Sequence, residues 1–347
     1  MAAARYGARV VRWRLRRLSV LVALAIVVAG GIVVFGRAAA TTPGAALGAA
    51  GQRLVATTRP PRDLDAYRGL GAWVDAFDYA PAYQPAGGAP SIDPGAVDDM
   101  ATHGVRTLFL QVARNDARSP GGIVDRALLG QFLVRAHRHG MRVVGWYLPK
   151  FGDVAVDRNN IDAMATFETL GHRLDGIAVD IEFTEDVPDP ELRNQRLIEL
   201  STGLRGEMGA DAIAAIVLPP VLTEVVNPDL WPSFPWRDLA PLYDAWLPMS
   251  YWTFRSGASG YHDGYVYNEE STRRLRANLG DGDAVVHGIG GIGDLMTIAE
   301  LDAFAQSLVD TAAVGGSIYD WNTMGTEAKA ELERRFGIGV LAGLAPP

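Results

Sequence analysis

Eight times between Arg68 and Phe336 the chain passes from a strand-like run to a helix-like one, and that alternation leaves few folds open. Runs rich in branched aliphatic and aromatic residues occupy 69–76, 107–112, 142–148, 176–182, 212–218, 245–251, 284–289 and 316–321. Helical patterns stand between them. The spacing predicts helices over 94–103 with Asp93 as N-cap, and over 126–139 with Asp125 as N-cap, each stopped by a glycine. Further helices are predicted at 161–172, 190–208, 269–279, 298–313 and 326–336, and a weaker, Pro-interrupted one at 234–243. Eight such units over about 270 residues match the count and length of a (β/α)8 TIM barrel, an α/β fold. A doubly wound open sheet is the rival. It lacks its phosphate loop here, because the glycine-dense run 288–293 follows the seventh strand without the fitting spacing.

In such a barrel the chemistry sits at the carboxyl ends of the strands. The fourth strand, DGIAVDIE over 175–182, is the most informative. Ile177, Val179 and Ile181 fill alternate positions, so Asp180 and Glu182 share the opposite face, about 6–7 Å apart along the strand. Two acids aimed out of an apolar strand are costly unless a function uses them. A neighbouring carboxylate and burial can hold a proton on one of them near neutrality, which suits acid–base chemistry. Other strands end in polar and aromatic residues: Asp75 and Asp78, Gln111 with Arg114, Tyr147 with Lys150, Met249 to Trp252, His287, and Tyr319 to Trp321. That mixture suits a carbohydrate, since aromatic faces stack on sugar rings while carboxylates and amides bind hydroxyls. Trp231, Trp236 and Trp246 either extend such a groove or pack beneath a Pro-rich loop. Asp175 reads as a turn residue or cap, and His287 as a satisfied inner histidine. No acidic or histidine cluster has metal-ligand spacing, so neither metal nor cofactor is expected.

Asp175, Asp180 and Glu182 resemble the fourth-strand signature of family 18 glycoside hydrolases, the chitinases and their relatives, with Ala178 standing where the family carries a further Asp. Met249 and Tyr251 resemble the family's sixth-strand Met-x-Tyr-Asp stretch, with Trp252 in place of its Asp. Trp321 resembles the eighth-strand Trp that floors the sugar site. The resemblance implies substrate-assisted hydrolysis of a glycan containing N-acetylglucosamine. Glu182 would protonate the leaving oxygen, Asp180 would hold the N-acetyl group, and Tyr251 would steady its carbonyl. Trp321, Asp320, Tyr147, Gln111, Trp252 and Met249 are then the expected substrate contacts. The seventh strand, expected to end in the run after His287, offers no nucleophilic carboxylate there, and Asp294 comes later. Ala178 and Trp252 leave two alternatives open: a silent glycan-binding barrel, or a two-carboxylate glycosidase pairing Glu182 with Asp320 or a first-strand acid.

Charge is distributed unevenly. Residues 1–37 hold seven Arg and no acid, so the remainder carries 25 basic against 40 acidic residues, a net −15. Such a surface repels nucleic acid and is compatible with a neutral polysaccharide. Between Arg17 and Arg37 an apolar run long enough to span a bilayer, flanked by arginines, predicts a transmembrane signal anchor at 18–36. The expected organisation is a basic cytoplasmic segment at 1–17, the anchor, a linker at 37–66, the barrel at 67–338 and a tail at 339–347. The barrel is thus expected outside the cell membrane. A signal peptide cut after Ala40 is the competing reading. Cysteine is absent, which excludes disulfides and thiolate metal sites.

Overall fold

The computed structural model of the chain describes residues 60–337. Eight parallel strands are present: β1 Gly69–Val74, β2 Thr107–Gln111, β3 Arg142–Tyr147, β4 Gly176–Ile181, β5 Ile213–Val217, β6 Ala245–Ser250, β7 His287–Ile292 and β8 Gly315–Tyr319. Each pairs with its neighbours in sequence, and β1 closes on β8, giving the expected closed barrel. Around it run α1 Ala96–Thr102, α2 Arg126–Arg138, α3 Val154–Ala165, α4 Pro190–Met208, the single turn α5 Trp236–Leu239, α6 Gly264–Leu279, α7 Ile298–Asp310 and α8 Thr326–Gly337. Among the described residues no helix is long and apolar enough to cross a membrane. The expected anchor at 18–36 and the tail at 339–347 lie outside the described residues.

Strand periodicity sorts the core into two shells. On β4, Ile177, Val179 and Ile181 join the shell between strands and helices, while Ala178 joins the barrel interior and puts Asp180 and Glu182 on that inner rail. The same sorting places Trp73, Phe109, Trp146, Ile216, Leu247, Met249 and Tyr319 inside. Aspartates start most of the long helices. Asp125, Asp153, Asp189 and Asp263 each accept from backbone N–H groups of the first turn.

Several boundaries differ from expectation: the helix expected at 269–279 already starts at Gly264, and the one expected at 234–243 is the single turn Trp236–Leu239. The third helix begins after its N-cap Asp153 and ends by Ala165. Residues 168–173 instead form a tiny hairpin, Glu168–Thr169 against His172–Arg173. Its two turn residues, Leu170 and Gly171, both have positive φ, as a tight two-residue hairpin turn requires. Asp93 accepts from the Gly95 N–H at 2.6 Å, and α1 starts after Gly95 rather than after Asp93. β7 is shifted by three residues from 284–289. Its glycines are not breakers: a Cβ at Gly290 would lie 2.6 Å from the Trp252 ring and 2.8 Å from Phe304, so their absence lets the helical layer pack on the strand backbone. The shift moves His287 from the mouth to the opposite end of the barrel.

That opposite end is closed by residues expected in the linker. Arg62 donates through Nε to Leu174 O at 2.9 Å and through Nη2 to Ala165 O at 2.8 Å, and pairs with Asp211. Its own carbonyl accepts from Ala212 N at 2.8 Å, so 60–66 belong to the barrel. Tyr67 enters the interior, where its hydroxyl donates to Ile177 O at 2.9 Å and lies 3.2 Å from Ile177 N as acceptor. Gly176 makes room, since a Cβ there would sit 2.9 Å from that hydroxyl. Tyr67→Phe strands two buried backbone groups and is expected to cost about 1–3 kcal/mol in urea unfolding; an unchanged midpoint would show that solvent replaces the hydroxyl.

His287 is fully buried beside this plug. Trp73 Nε1 donates to Ser317 Oγ at 2.7 Å, so the Ser317 hydroxyl hydrogen faces His287 Nε2 at 2.9 Å. His287 Nδ1–H then donates to Tyr67 O at 2.8 Å, which fixes a neutral ring. Burial pushes its pKa down to about 4. The unfolded chain therefore binds the proton more readily. The stability due to the neutral ring is present above pH 6.5 and is lost as pH falls toward 4, about 3 kcal/mol in all. His287→Gln removes this titration, so urea unfolding at pH 7 and pH 4.5 should differ less in the variant than in the parent.

Candidate active site

The mouth is built on the inner rails of β1, β3, β4, β6 and β8. Asp180 is nearly buried and Glu182, one step beyond the end of β4, is half-exposed. Opposite Ala178 in the β3–β4 register stands Trp146. Its ring lies 6.0 Å from Trp73, and Trp73 lies 6.4 Å from Tyr319. Tyr319 in turn lies 5.9 Å from the half-exposed ring of Tyr251. Four aromatic rings thus gather at the end of the barrel where the inner rail of β4 carries the two acids, with Met249 in the same inner cluster on β6. Among the described residues the buried Trp146 Nε1 has no hydrogen-bond partner.

A second group of acids sits where β1 meets β8. Asp75 caps the helical turn Ala76–Tyr79, accepting from Phe77 N at 2.6 Å, and takes the Tyr319 hydroxyl at 2.9 Å. Asp78 accepts from Asn322 Nδ2 at 2.8 Å, and Asp320 accepts from Thr323 N at 2.9 Å. Carboxylate oxygens of Asp75, Asp78 and Asp320 lie within 4.8 Å of one another, close enough for one cation to bridge them. Burial, then the charges of Asp75 and Asp320, push Asp78 up to about 8. Burial, then Asp75, pushes Asp320 up to about 7. Burial and mutual repulsion thus shift both acids toward the protonated form.

Several expected contacts lie elsewhere. Trp321 is on the outer face: its Nε1 donates to Asp99 Oδ2 at 3.2 Å and Lys329 Nζ lies 4.2 Å above its ring, so helices α1 and α8 cover it and it floors no sugar site. Trp252 is fully buried, its ring 5.3 Å from Phe304, so the departure from the family's Asp does not face the mouth. Tyr147 also points outward, its hydroxyl donating to Asp157 and accepting from Asn160 Nδ2 at 3.0 Å. Gln111 is inward but spent on structure, its Oε1 accepting from Ala76 N at 3.1 Å and Arg114 Nη1 at 3.0 Å. With β7 ending at Ile292, the exposed Asp294 stands two residues past the strand, so a carboxylate does follow it. Trp73 and Trp146 were the missed aromatics, and Tyr319 was expected as a strand-end residue but not among the contacts. The signal for the two tryptophans was parity, since Trp73 is two residues before Asp75 and Trp146 alternates with Val144 on an inward rail.

No family model matches the sequence, and no curated protein matches it. Solved structures match in fold. The endo-β-1,4-mannanase from Thermotoga petrophila superposes with TM-score 0.59 at 10% identity, covering 80% of this chain and 77% of that one. The PgaB (BpsB) glycoside hydrolase domain from Bordetella bronchiseptica gives 0.53 at 13%, covering 78% and 99%. A family 18 chitinase from Cycas revoluta, in complex with (GlcNAc)4, gives 0.52 at 10%, covering 79% and 99%. By fold, the barrel is like those of family 18 chitinases and related glycoside hydrolases.

Proposed function

We propose that the chain is a glycoside hydrolase acting on a polysaccharide that contains N-acetylglucosamine. The observation that carries this is the placement of Asp180 and Glu182 on the inner rail of β4, at a mouth walled by Trp73, Trp146, Tyr251 and Tyr319. Glu182 is the proton donor to the leaving oxygen. Asp180 orients the substrate's N-acetyl group, whose carbonyl oxygen attacks the anomeric carbon, and Tyr251 steadies that carbonyl. The Trp146 N–H is a donor available to a ligand or to water at the mouth. The fold likeness to chitinases supports the substrate class, and one of those chitinases was solved with (GlcNAc)4 bound. The Arg-flanked apolar run at 18–36 supports a barrel tethered outside the cell membrane.

The acids around Asp320, together with Asp294, favour a second reading. In it Glu182 works with a carboxyl from the β8–β1 side, as in glycosidases that use two carboxylates. A thiazoline mimic of the N-acetyl intermediate separates the two in a reducing-end assay on N-acetylglucosamine oligomers. Strong competitive inhibition is expected for the first mechanism. Turnover that ignores the thiazoline would reject substrate assistance.

A further inference from the structure

The helical layer of the barrel is incomplete in one sector. Between β5 and β6 the only α-helix is the single turn α5, preceded by a long loop that includes the π-helical turn Val221–Val226. A groove of about 670 Å³ opens there between α4 and the 233–238 loop. Its wall is rigidly made. Asn194 Oδ1 accepts from Trp231 Nε1 at 2.7 Å while Asn194 Nδ2 donates to Ser233 O at 2.8 Å, so one amide locks both the indole and the left-handed turn at Ser233. The half-exposed ring of Phe234 packs edge-on against Trp231 and lies 4.4 Å from the buried Trp236, so Phe234 supplies the aromatic surface of the groove. Facing it from α4 and α5 are the exposed side chains of Glu191, Gln195 and Asp238.

We propose that this groove is a second, non-catalytic glycan site that holds a stretch of a neutral or amine-bearing polysaccharide. An aromatic surface beside an amide and two carboxylates matches the two faces of a sugar ring, apolar C–H and hydroxyl. Arg237 also lines the groove, its guanidinium held by the carbonyls of Ala277 and Leu279 at the end of α6, so the lining sets two carboxylates against one cation and disfavours phosphate, nucleic acid and anionic lipid. The core of a protein interface is depleted in charge, which this groove is not. The identity of the occupant as a glycan rests on the glycosidase reading; the groove itself does not use Glu182 or Asp180. The loop that leaves β4 past Glu182 enters α4 at Pro190, so a polymer lying here flanks the sector that carries the acids.

The test uses the full chain, insoluble chitin and chitosan as probes, and a soluble (GlcNAc)5 turnover assay. Phe234→Ala, and separately the double variant Glu191→Ala with Gln195→Ala, are expected to weaken binding to one of the two polymers by roughly five- to tenfold, the size of one lost contact, while (GlcNAc)5 turnover stays at the parent level. Should Phe234→Ala disturb the loop by circular dichroism, the exposed α4 pair decides. Undiminished polymer binding in the α4 variant overturns the proposal, as does a parent chain that binds neither polymer. A change from dimer to monomer in the variants also overturns it, because the groove is then an interface between copies. Groove-dependent polymer binding by a parent that hydrolyses nothing would uphold the groove and remove the glycosidase reading instead.

Discussion

Glu182→Gln is expected to lower the release of reducing ends from N-acetylglucosamine oligomers by about 10²- to 10⁴-fold, the usual contribution of a positioned general acid. The amide keeps the size of the side chain and removes the proton it delivers. Because Glu182 is half-exposed at the end of β4 and lies outside both core shells, the melting temperature is expected to stay within about 1–2 °C of the parent. The combination matters. A silent enzyme with an intact fold places the loss at the chemical step, whereas parallel loss of activity and stability would make Glu182 a structural acid. Full activity in the variant would remove it from the mechanism. Asp180→Asn should also reduce turnover, and the two losses should be less than additive if the pair acts as a unit.

The barrel was legible because eight strand–helix alternations leave almost no other topology, and the β4 rail was legible because parity is a local property. Ile177, Val179 and Ile181 name the outer face, so Asp180 and Glu182 follow. Where the reading used similarity to a family pattern instead of parity, it misplaced side chains. Trp252 directly follows the inward Tyr251, and the next residue along a strand faces the other way, while Trp321 lies two residues past the inward Tyr319 and beyond the end of β8, where strand parity no longer applies. Tyr147, one step past Trp146, failed for the same reason as Trp252. β7 was displaced because the glycine-rich run 288–293 reads as a turn in isolation. Its meaning depends on Trp252 and Phe304, which come from other elements and need bare backbone to pack against. The members of the Asp75–Asp78–Asp320 cluster were each legible as strand-end acids, but not as one group. Asp320 stands about 240 residues from Asp75 and Asp78 and meets them only because β1 closes on β8. Closure is a property of the whole barrel, and no window of sequence reports it.

That cluster supplies the other large effect. An acid whose folded pKa lies above its unfolded value stabilises the fold only below the unfolded value, and that contribution is lost as pH rises through the folded pKa. For Asp320 the window runs from about 4 to about 7, and for Asp78 to about 8. Asp320→Asn keeps an oxygen for the Thr323 N–H and removes a charge that Asp78 also opposes. At pH 8.5 it should therefore raise stability by on the order of 3 kcal/mol, or about 5–10 °C in melting temperature, and near pH 4 it should change little. Between pH 4 and 6.5 the neutral His287 contributes the opposite slope, so the parent's own curve is flattened there. The variant-minus-parent difference isolates the carboxyl. A difference that is flat with pH would mean that Asp320 ionises normally in the fold. The same protein read for turnover separates the two mechanisms. If substrate assistance operates, Asp320→Asn keeps activity within a few-fold of the parent. If Asp320 is the partner carboxyl, the loss approaches that of Glu182→Gln, and the acid that costs the fold stability at alkaline pH is then the one retained for the reaction.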